Sequence, residues 1–126
     1  MTSQSKPNGS GAKRLLKSLL CSFKGLTSAF KYEVAFRQEL LLAMLLFPLS
    51  FFIAEGVYSW VALNLSILFL LIVELINSAI EALADKITLE HDELIGRAKD
   101  IGSAAVLLAT LALGIIWGTF TYQFFV

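Results

Sequence analysis

Residues 57–85 read VYSWVALNLSILFLLIVELINSAIEALAD, and their apolar and polar pattern is the strongest indication of how the chain folds. Residues 57–73 carry no charge, yet the second half of the stretch places acidic and amide side chains among Leu, Ile, Val and Ala. At 100° per residue, the polar residues that share one helical face are Glu74, Asn77, Ser78, Glu81 and Asp85. Because a charged side chain at membrane depth costs roughly 2.5–3.5 kcal/mol, the sequence predicts a buried or cavity-lining polar site within a helical bundle.

The composition indicates a membrane protein. The chain is 57% hydrophobic and 16% charged, whereas soluble domains are about 45–50% apolar and 25% charged. With flanking turns, the three uncharged runs 40–54, 57–73 and 101–126 are each long enough to form a span of about 20 residues. We therefore predict an all-α membrane protein with spans at about 34–54, 57–84 and 101–125. A soluble three-helix bundle is disfavoured, because helices that are apolar all round need lipid or a larger protein to cover them.

The N-terminal third has two parts. Residues 1–11 are rich in Ser, Gly, Asn and Pro and are predicted to be a disordered tail, which leaves a single domain over 12–126. Residues 12–31 have an apolar face of Leu and Phe side chains and a separate face of lysines. This pattern predicts an amphipathic helix that lies on the membrane surface.

The basic residues predict the topology. Seven of the ten Lys and Arg residues precede Leu40, and the other three lie in the predicted loop 85–100. By the positive-inside rule, the N-terminus and this loop are cytoplasmic, while the Glu55-Gly56 turn between the first two spans and the C-terminus are outside. The net charge of zero gives no indication of a nucleic-acid partner, and the single Cys21 permits no intrachain disulfide.

Acidic side chains are the most informative chemical groups. Carboxylates suit Mg²⁺, which takes one or two of them and leaves its other positions to water and substrate phosphates. A deep carboxylate such as Glu74 could then act as a general base on a group that arrives from the bilayer. The sequence has no GxxxxGK[ST] phosphate loop, no kinase HRD or DFG triplet and no GxSxG elbow. These residues alone leave both an enzyme and a proton-linked carrier that uses Glu74 and Glu81 open.

Three blocks carry a resemblance to a known family: EVAFRQE at 33–39, ELINSAIE at 74–81 and GRAKDIGSAA at 96–105. They closely resemble the bacterial integral-membrane diacylglycerol kinase family, over about residues 14–117. The resemblance implies a three-span homotrimer of the cytoplasmic (inner) membrane, with a surface helix and active sites shared between subunits. It also implies transfer of the γ-phosphoryl group of MgATP to diacylglycerol, which gives phosphatidate.

The resemblance assigns roles to individual residues. Glu74 matches the general base, and Glu33 and Glu81 match the carboxylates that hold Mg²⁺. The positions implied for ATP binding are Arg14, Cys21, Glu33, Asn77, Glu81, Glu90, His91, Asp92, Lys99 and Asp100. The positions implied for the lipid substrate are Arg14, Ala35, Phe36, Arg37, Gln38, Glu39, Glu74, Ser103 and Trp117. The chain departs from the family at Cys21, where Tyr is common, and at His91-Asp92, where a Tyr-His pair is common.

Two alternatives to this function stay open. Related enzymes of the same family phosphorylate undecaprenol, a polyprenyl alcohol, and the AFRQE block and the hairpin length favour the diacylglycerol branch over them. The alternative from another class is the proton-linked carrier.

Overall fold

Every element of the structure is an α-helix. The computed structural model describes residues 11–126, so the predicted tail lies outside the described residues except for Gly11. The helices are α1 (Gly11–Tyr32), α2 (Val34–Ile53), α3 (Val57–Ile87) and α4 (Glu93–Phe125). The chain divides into two compact units: the first ends at Glu33 and contains α1, and the second, residues 34–126, contains α2, α3 and α4.

Three helices are long and apolar enough to cross a membrane, namely α2, α3 and α4, with 20, 31 and 33 residues. This confirms the prediction of an all-helical protein with three candidate spans. Many of their large apolar side chains face outwards: Leu45, Phe52 and Leu108 are 65%, 73% and 66% exposed. Such a surface is suited to lipid or to a protein partner rather than to water.

Helix α3 lies at the centre of the second unit. It packs most extensively against α4 and less extensively against α2, whereas α2 and α4 touch only slightly. The buried core consists of Ile53, Leu63, Ile67, Leu70, Ala109, Leu113 and Trp117. Within this core the Trp117 indole Nε1 donates a hydrogen bond to the Leu63 carbonyl oxygen at 3.2 Å, which links α4 to α3.

A polar contact links α2 to α3 near the hairpin turn. Ser50 is fully buried, and its Oγ donates a hydrogen bond to the Phe47 carbonyl at 2.6 Å. The Asn64 Nδ2 donates to Ser50 Oγ at 3.1 Å and to the Trp60 carbonyl at 2.9 Å. Because unpaired polar groups are unfavourable in apolar surroundings, these bonds favour one register of α2 against α3.

The predicted Glu55-Gly56 turn is confirmed, because α2 ends at Ile53, α3 begins at Val57 and the two helices pack against each other as a hairpin. The Gly56 N–H donates a hydrogen bond to Ser59 Oγ at 3.1 Å, so the start of α3 is capped by its own first turn. Glu55 and Gly56 are both exposed at this turn.

The predicted loop 85–100 is wrong in its extent. Helix α3 continues to Ile87 and α4 already begins at Glu93, so only residues 88–92 connect the two helices. The Asp92 Oδ1 accepts a hydrogen bond from the Ile95 N–H at 3.0 Å and caps the start of α4. Charged residues such as Asp85 and Lys99 mark the end of an apolar span, but they are compatible with helix and do not end it.

Candidate functional site

The polar face of α3 runs from a buried to an exposed environment. Glu74, Asn77 and Ser78 are only 4%, 7% and 7% exposed. Glu81 is partly buried and Asp85 is exposed. The polar stripe, defined as these five residues, is about 16 Å long at 1.5 Å per residue and opens towards the 88–92 connection.

The buried end of the stripe is in contact with α2. The Glu39 carboxyl group lies in hydrogen-bonding contact with the carboxyl group of Glu74. Glu39 Oε2 is itself buried and has no hydrogen-bond partner. Glu74 therefore has an acidic neighbour on another helix that can fix its orientation.

The middle of the stripe is in contact with α4. Asn77 Nδ2 donates a hydrogen bond to Glu81 Oε1 at 3.3 Å, whereas Asn77 Oδ1 is buried and has no partner. Gly102 of α4 lies directly opposite this amide group: a Cβ atom added to Gly102 would stand 2.3 Å from Asn77 Oδ1. The two helices thus pack closely beside the amide that donates to Glu81.

An ion pair joins α3 and α4 near the open end of the stripe. Lys99 Nζ lies 2.5 Å from Asp85 Oδ1, and the two side chains are 39% and 50% exposed. The Lys99 ammonium is also attracted by Glu81. A partly exposed pair of this kind adds little stability, but it holds a cation beside the stripe, where a phosphate group could replace Asp85 as its partner.

The residues predicted to bind ATP fall into three groups. Asn77, Glu81, Lys99 and Asp100 lie on the facing helices α3 and α4. Glu90, His91 and Asp92 are exposed in the connection, where Asp92 also caps α4. Arg14 and Cys21 are exposed on α1, and Glu33 follows its last turn. Because Arg14, Cys21 and Glu33 belong to the first unit, their position relative to the stripe stays a prediction.

The residues predicted to bind lipid do not form one surface. In the first turns of α2, Phe36 is buried, Arg37 and Glu39 are partly buried, and Ala35 and Gln38 are exposed. Ser103 is exposed on α4. Trp117 lies about 21 Å farther along α4, in the core beside Leu63, so the structure does not bring it together with the others.

The oxygen donors of the stripe fit a magnesium ion. Across residues 11–126, no group of three or more His, Cys, Asp or Glu side chains could hold a metal by itself. Mg²⁺ does not require such a group, since it commonly binds one or two carboxylates together with water and substrate phosphates. The partly buried Glu81 carboxylate and the unpartnered Asn77 Oδ1 beside it are hard oxygen donors of the required kind.

A cavity at the hairpin end of the second unit is separate from the stripe. It has a volume of about 420 Å³ and is lined by Phe51, Ala54, Glu55, Gly56, Val57 and Trp60. Trp60 precedes Glu74 by about 21 Å along α3. This cavity is therefore not part of the polar site.

Sequence reasoning missed three pairings at the site: Glu39 with Glu74, Asp85 with Lys99, and Gly102 with Asn77. The first two pairs consist of residues whose types were informative, but their contacts depend on how separate helices pack. Gly102 did carry a signal of its own, since a glycine inside an apolar helical run often has a packing reason.

The comparisons with known proteins agree with this architecture. Residues 20–121 match the sequence profile of the family described as Prokaryotic diacylglycerol kinase. A protein of Haemophilus influenzae named diacylglycerol kinase is 46% identical over 86% of this chain and 92% of its own length. Proteins of the same name from Escherichia coli K12 and Pseudomonas aeruginosa are 43% and 40% identical, over 87% and 86% of this chain and 90% and 89% of their own lengths.

The predicted resemblance is thus confirmed over most of the chain, by the family match and by full-length relatives. The matched range contains all of α2 and α3 and the whole polar stripe. The chain belongs to the prokaryotic diacylglycerol kinase family.

Proposed function

We propose that this protein is an ATP-dependent diacylglycerol kinase, which transfers the γ-phosphoryl group of MgATP to the lipid hydroxyl and produces phosphatidate. Family membership supports the reaction. The observation that carries the proposal is the burial of Glu74 between apolar helices, at the closed end of a stripe that opens at the connection. A lipid hydroxyl can approach Glu74 from the bilayer, while a nucleotide can reach the open end from water.

Glu74 is the proposed general base. As the lipid oxygen forms a bond to the γ-phosphorus, the bond from that phosphorus to the ADP oxygen breaks and ADP leaves. The hydroxyl proton passes to a carboxylate oxygen of Glu74. Phosphoryl transfer depends mainly on positioning and charge neutralisation, so the contact with Glu39 contributes by keeping Glu74 in place.

The nucleotide is proposed to bind at the open end of the stripe. Glu81 and Glu33 would hold Mg²⁺, which would neutralise phosphate charge. Asn77 orients Glu81, and Lys99 exchanges Asp85 for a phosphate oxygen. The further proposed ATP contacts are Arg14, Cys21, Glu90, His91, Asp92 and Asp100. The proposed lipid contacts besides Glu74 are Arg14, Ala35, Phe36, Arg37, Gln38, Glu39, Ser103 and Trp117.

A single assay tests the activity. Purified protein in detergent is incubated with MgATP labelled at the γ-phosphate and with diacylglycerol, undecaprenol or no lipid. We expect labelled phosphatidate and little labelled polyprenyl phosphate. Preferential labelling of undecaprenol would show that the polyprenyl alcohol, rather than diacylglycerol, is the substrate. The absence of any labelled lipid would favour the hypothesis of a proton-linked carrier. The comparisons favour neither alternative, because the relatives are named diacylglycerol kinases.

The proposed location is the bacterial cytoplasmic (inner) membrane. The N-terminus, α1 and the 88–92 connection lie on the cytoplasmic side and Val126 lies outside, because the basic residues cluster around the former. Helix α1 lies on the membrane surface, with its lysines towards anionic headgroups and its exposed leucines, such as Leu15 and Leu19, in the acyl region. A C-terminal reporter that is active only outside the cytoplasm should be active, and a reporter active only inside the cytoplasm should be silent.

The proposed assembly is a homotrimer in which neighbouring subunits share each site. Three helices leave much of the apolar surface uncovered, and a second copy could cover the open side of the stripe. If Glu33 and Glu74 of one site come from different chains, Glu33→Gln and Glu74→Gln proteins that are unfolded, mixed and reassembled together should regain part of the activity. Reassembly of each variant alone is the control. The absence of rescue at every mixing ratio would place each site within one chain.

Glu74→Gln tests the general base. The change keeps the shape and removes the proton acceptor, so turnover should fall by about 10²–10⁴-fold. MgATP binding and assembly should persist, because a buried charge is lost rather than introduced. Glu55→Gln, at the exposed hairpin turn, is the matched control and should retain the parent's turnover. Near-normal turnover in Glu74→Gln would return this residue to a structural role.

Glu81→Gln tests the metal site. Removing the charge weakens the ligand for Mg²⁺, so the apparent KM for MgATP should rise while the KM for the lipid changes little. The measurement is initial velocity as a function of MgATP at saturating lipid. An unchanged dependence on MgATP would remove Glu81 from the metal site.

Two substitutions of Glu39 test whether its contact with Glu74 orients the proposed base. Glu39→Gln retains both a hydrogen-bond donor and an acceptor towards Glu74, so it should keep turnover within a few-fold of the parent. Glu39→Leu is similar in size but cannot form the bond. It should lower turnover by at least about tenfold, because a misplaced base loses proximity. Equal turnover in the two variants would mean that the contact does not position Glu74.

A further inference from the structure

The Asn77 side chain occupies an unusual place between α3 and α4. It is only 7% exposed, and its Oδ1 has no hydrogen-bond partner. Its Nδ2 donates to Glu81 Oε1 at 3.3 Å. This amide is therefore held partly by its bond to Glu81 and partly by the shape of the space around it.

That space is created by Gly102. The glycine is buried on α4, and a Cβ atom added to it would stand 2.3 Å from Asn77 Oδ1 and 3.4 Å from Asn77 Cγ. Across the described residues, a Cβ atom added to Gly25, Gly96, Gly114 or Gly118 would meet no atom within 4 Å other than those of its chain neighbours and of the backbone of its own helix. Gly102 therefore differs from these helical glycines, because a side chain at its position would collide with a residue of the polar stripe.

We propose that Gly102 is a positioning residue for the nucleotide end of the site. Because glycine has no side chain, Gly102 leaves space for the Asn77 amide. In that space the amide can maintain its hydrogen bond from Nδ2 to Glu81 Oε1. This inference rests on the proposed role of Glu81 in holding the metal of MgATP. Gly102 itself touches neither substrate.

The geometry indicates which group moves when a methyl group is added at Gly102. The nearest atom is the end of a side chain rather than backbone, so the Asn77 amide can rotate while the helices stay in place. At 3.3 Å its bond to Glu81 is already longer than the usual 2.7–3.2 Å, and a small displacement breaks it. Glu81 then loses the donor that orients it, although the fold persists.

Gly102→Ala is the direct test, and Gly114→Ala is its matched control. Both substitutions remove a glycine from the interior of α4 and raise helix propensity equally, but only the first meets the Asn77 amide. In Gly102→Ala the KM for MgATP should rise about tenfold, as for the loss of a hydrogen bond to a charged group. The KM for the lipid should stay unchanged. Gly114→Ala should have the same KM for MgATP and the same KM for the lipid as the parent protein. Equal values in the two variants would overturn the proposal.

A second experiment measures the position of the Asn77 amide directly, in the absence of metal and nucleotide. In ¹⁵N NMR spectra of metal-free protein in detergent, the Asn77 side-chain amide is identified by its absence from Asn77→Ala. Its signal should move in Gly102→Ala and stay in place in Gly114→Ala. An unmoved signal in Gly102→Ala means that the amide has not been displaced and overturns the proposal.

The double variant Gly102→Ala/Asn77→Ala separates positioning from packing. Without the amide, the added methyl group meets no Asn77 oxygen, so the double variant should have the same KM for MgATP as Asn77→Ala alone. Additive losses would assign Gly102 a role that does not pass through Asn77. If Gly102→Ala alone fails to fold, a folded double variant with the kinetics of Asn77→Ala supports the proposal, and an unfolded one overturns it.

Failure of the proposed site remains distinguishable from failure of this inference. If Glu81→Gln and Asn77→Ala leave the KM for MgATP unchanged, the proposed nucleotide end is wrong, whatever Gly102 does. If both raise that KM and Gly102→Ala does not, only the positioning role is wrong.

Discussion

The arrangement of the helices in the second unit depends on one constraint, the burial of the acidic side chain of Glu74 among apolar helices. An ionisable group at membrane depth is unfavourable unless other polar groups or water accompany it, and Glu74 is accompanied from two directions. Glu39 approaches it from α2, and the rest of the polar stripe continues along α3 towards the connection. Helix α3 can hold the stripe because it is the central helix, with α2 on one side and α4 on the other.

Packing and chemistry are separated along α3. The half near the hairpin turn holds the apolar core, the Trp117–Leu63 hydrogen bond and the Ser50–Asn64 contact. The half near the connection holds the stripe, whose polar atoms are only partly satisfied by the chain itself. The packed half fixes the positions of α2 and α4, and such support allows a site in the other half to hold unpaired polar groups in place.

The sequence predicted the elements better than their contacts. Uncharged runs and helical periodicity are local, and they identified three spans, the Glu55-Gly56 turn and the shared face of the stripe. The charged residues around Asp92 favour a loop up to residue 100 by composition, whereas α4 begins at Glu93, because Asp92 caps the helix and is itself a helix-start signal. The pairing of Glu39 with Glu74 and the fit of Gly102 against Asn77 depend on the rotation of one helix against another. No periodicity within one segment determines that rotation.

The length of α3 is compatible with the proposed function, in which the lipid arrives from the bilayer and the nucleotide arrives from water. Tyr58 and Trp60 are aromatic residues of the type that anchor a helix at a membrane interface, so in the proposed topology α3 enters the hydrocarbon near Val57. At 1.5 Å per residue, a hydrocarbon core of about 30 Å is crossed after roughly 20 residues, which places its far boundary close to Asn77. In that topology Glu74 lies just inside the boundary, at the depth of a lipid hydroxyl, and Glu81 lies just outside it, where the proposed Mg²⁺ and phosphates would be hydrated. Asn77 stands between them, and the gap left by Gly102 gives its amide room at the level where the proposed lipid and nucleotide would meet.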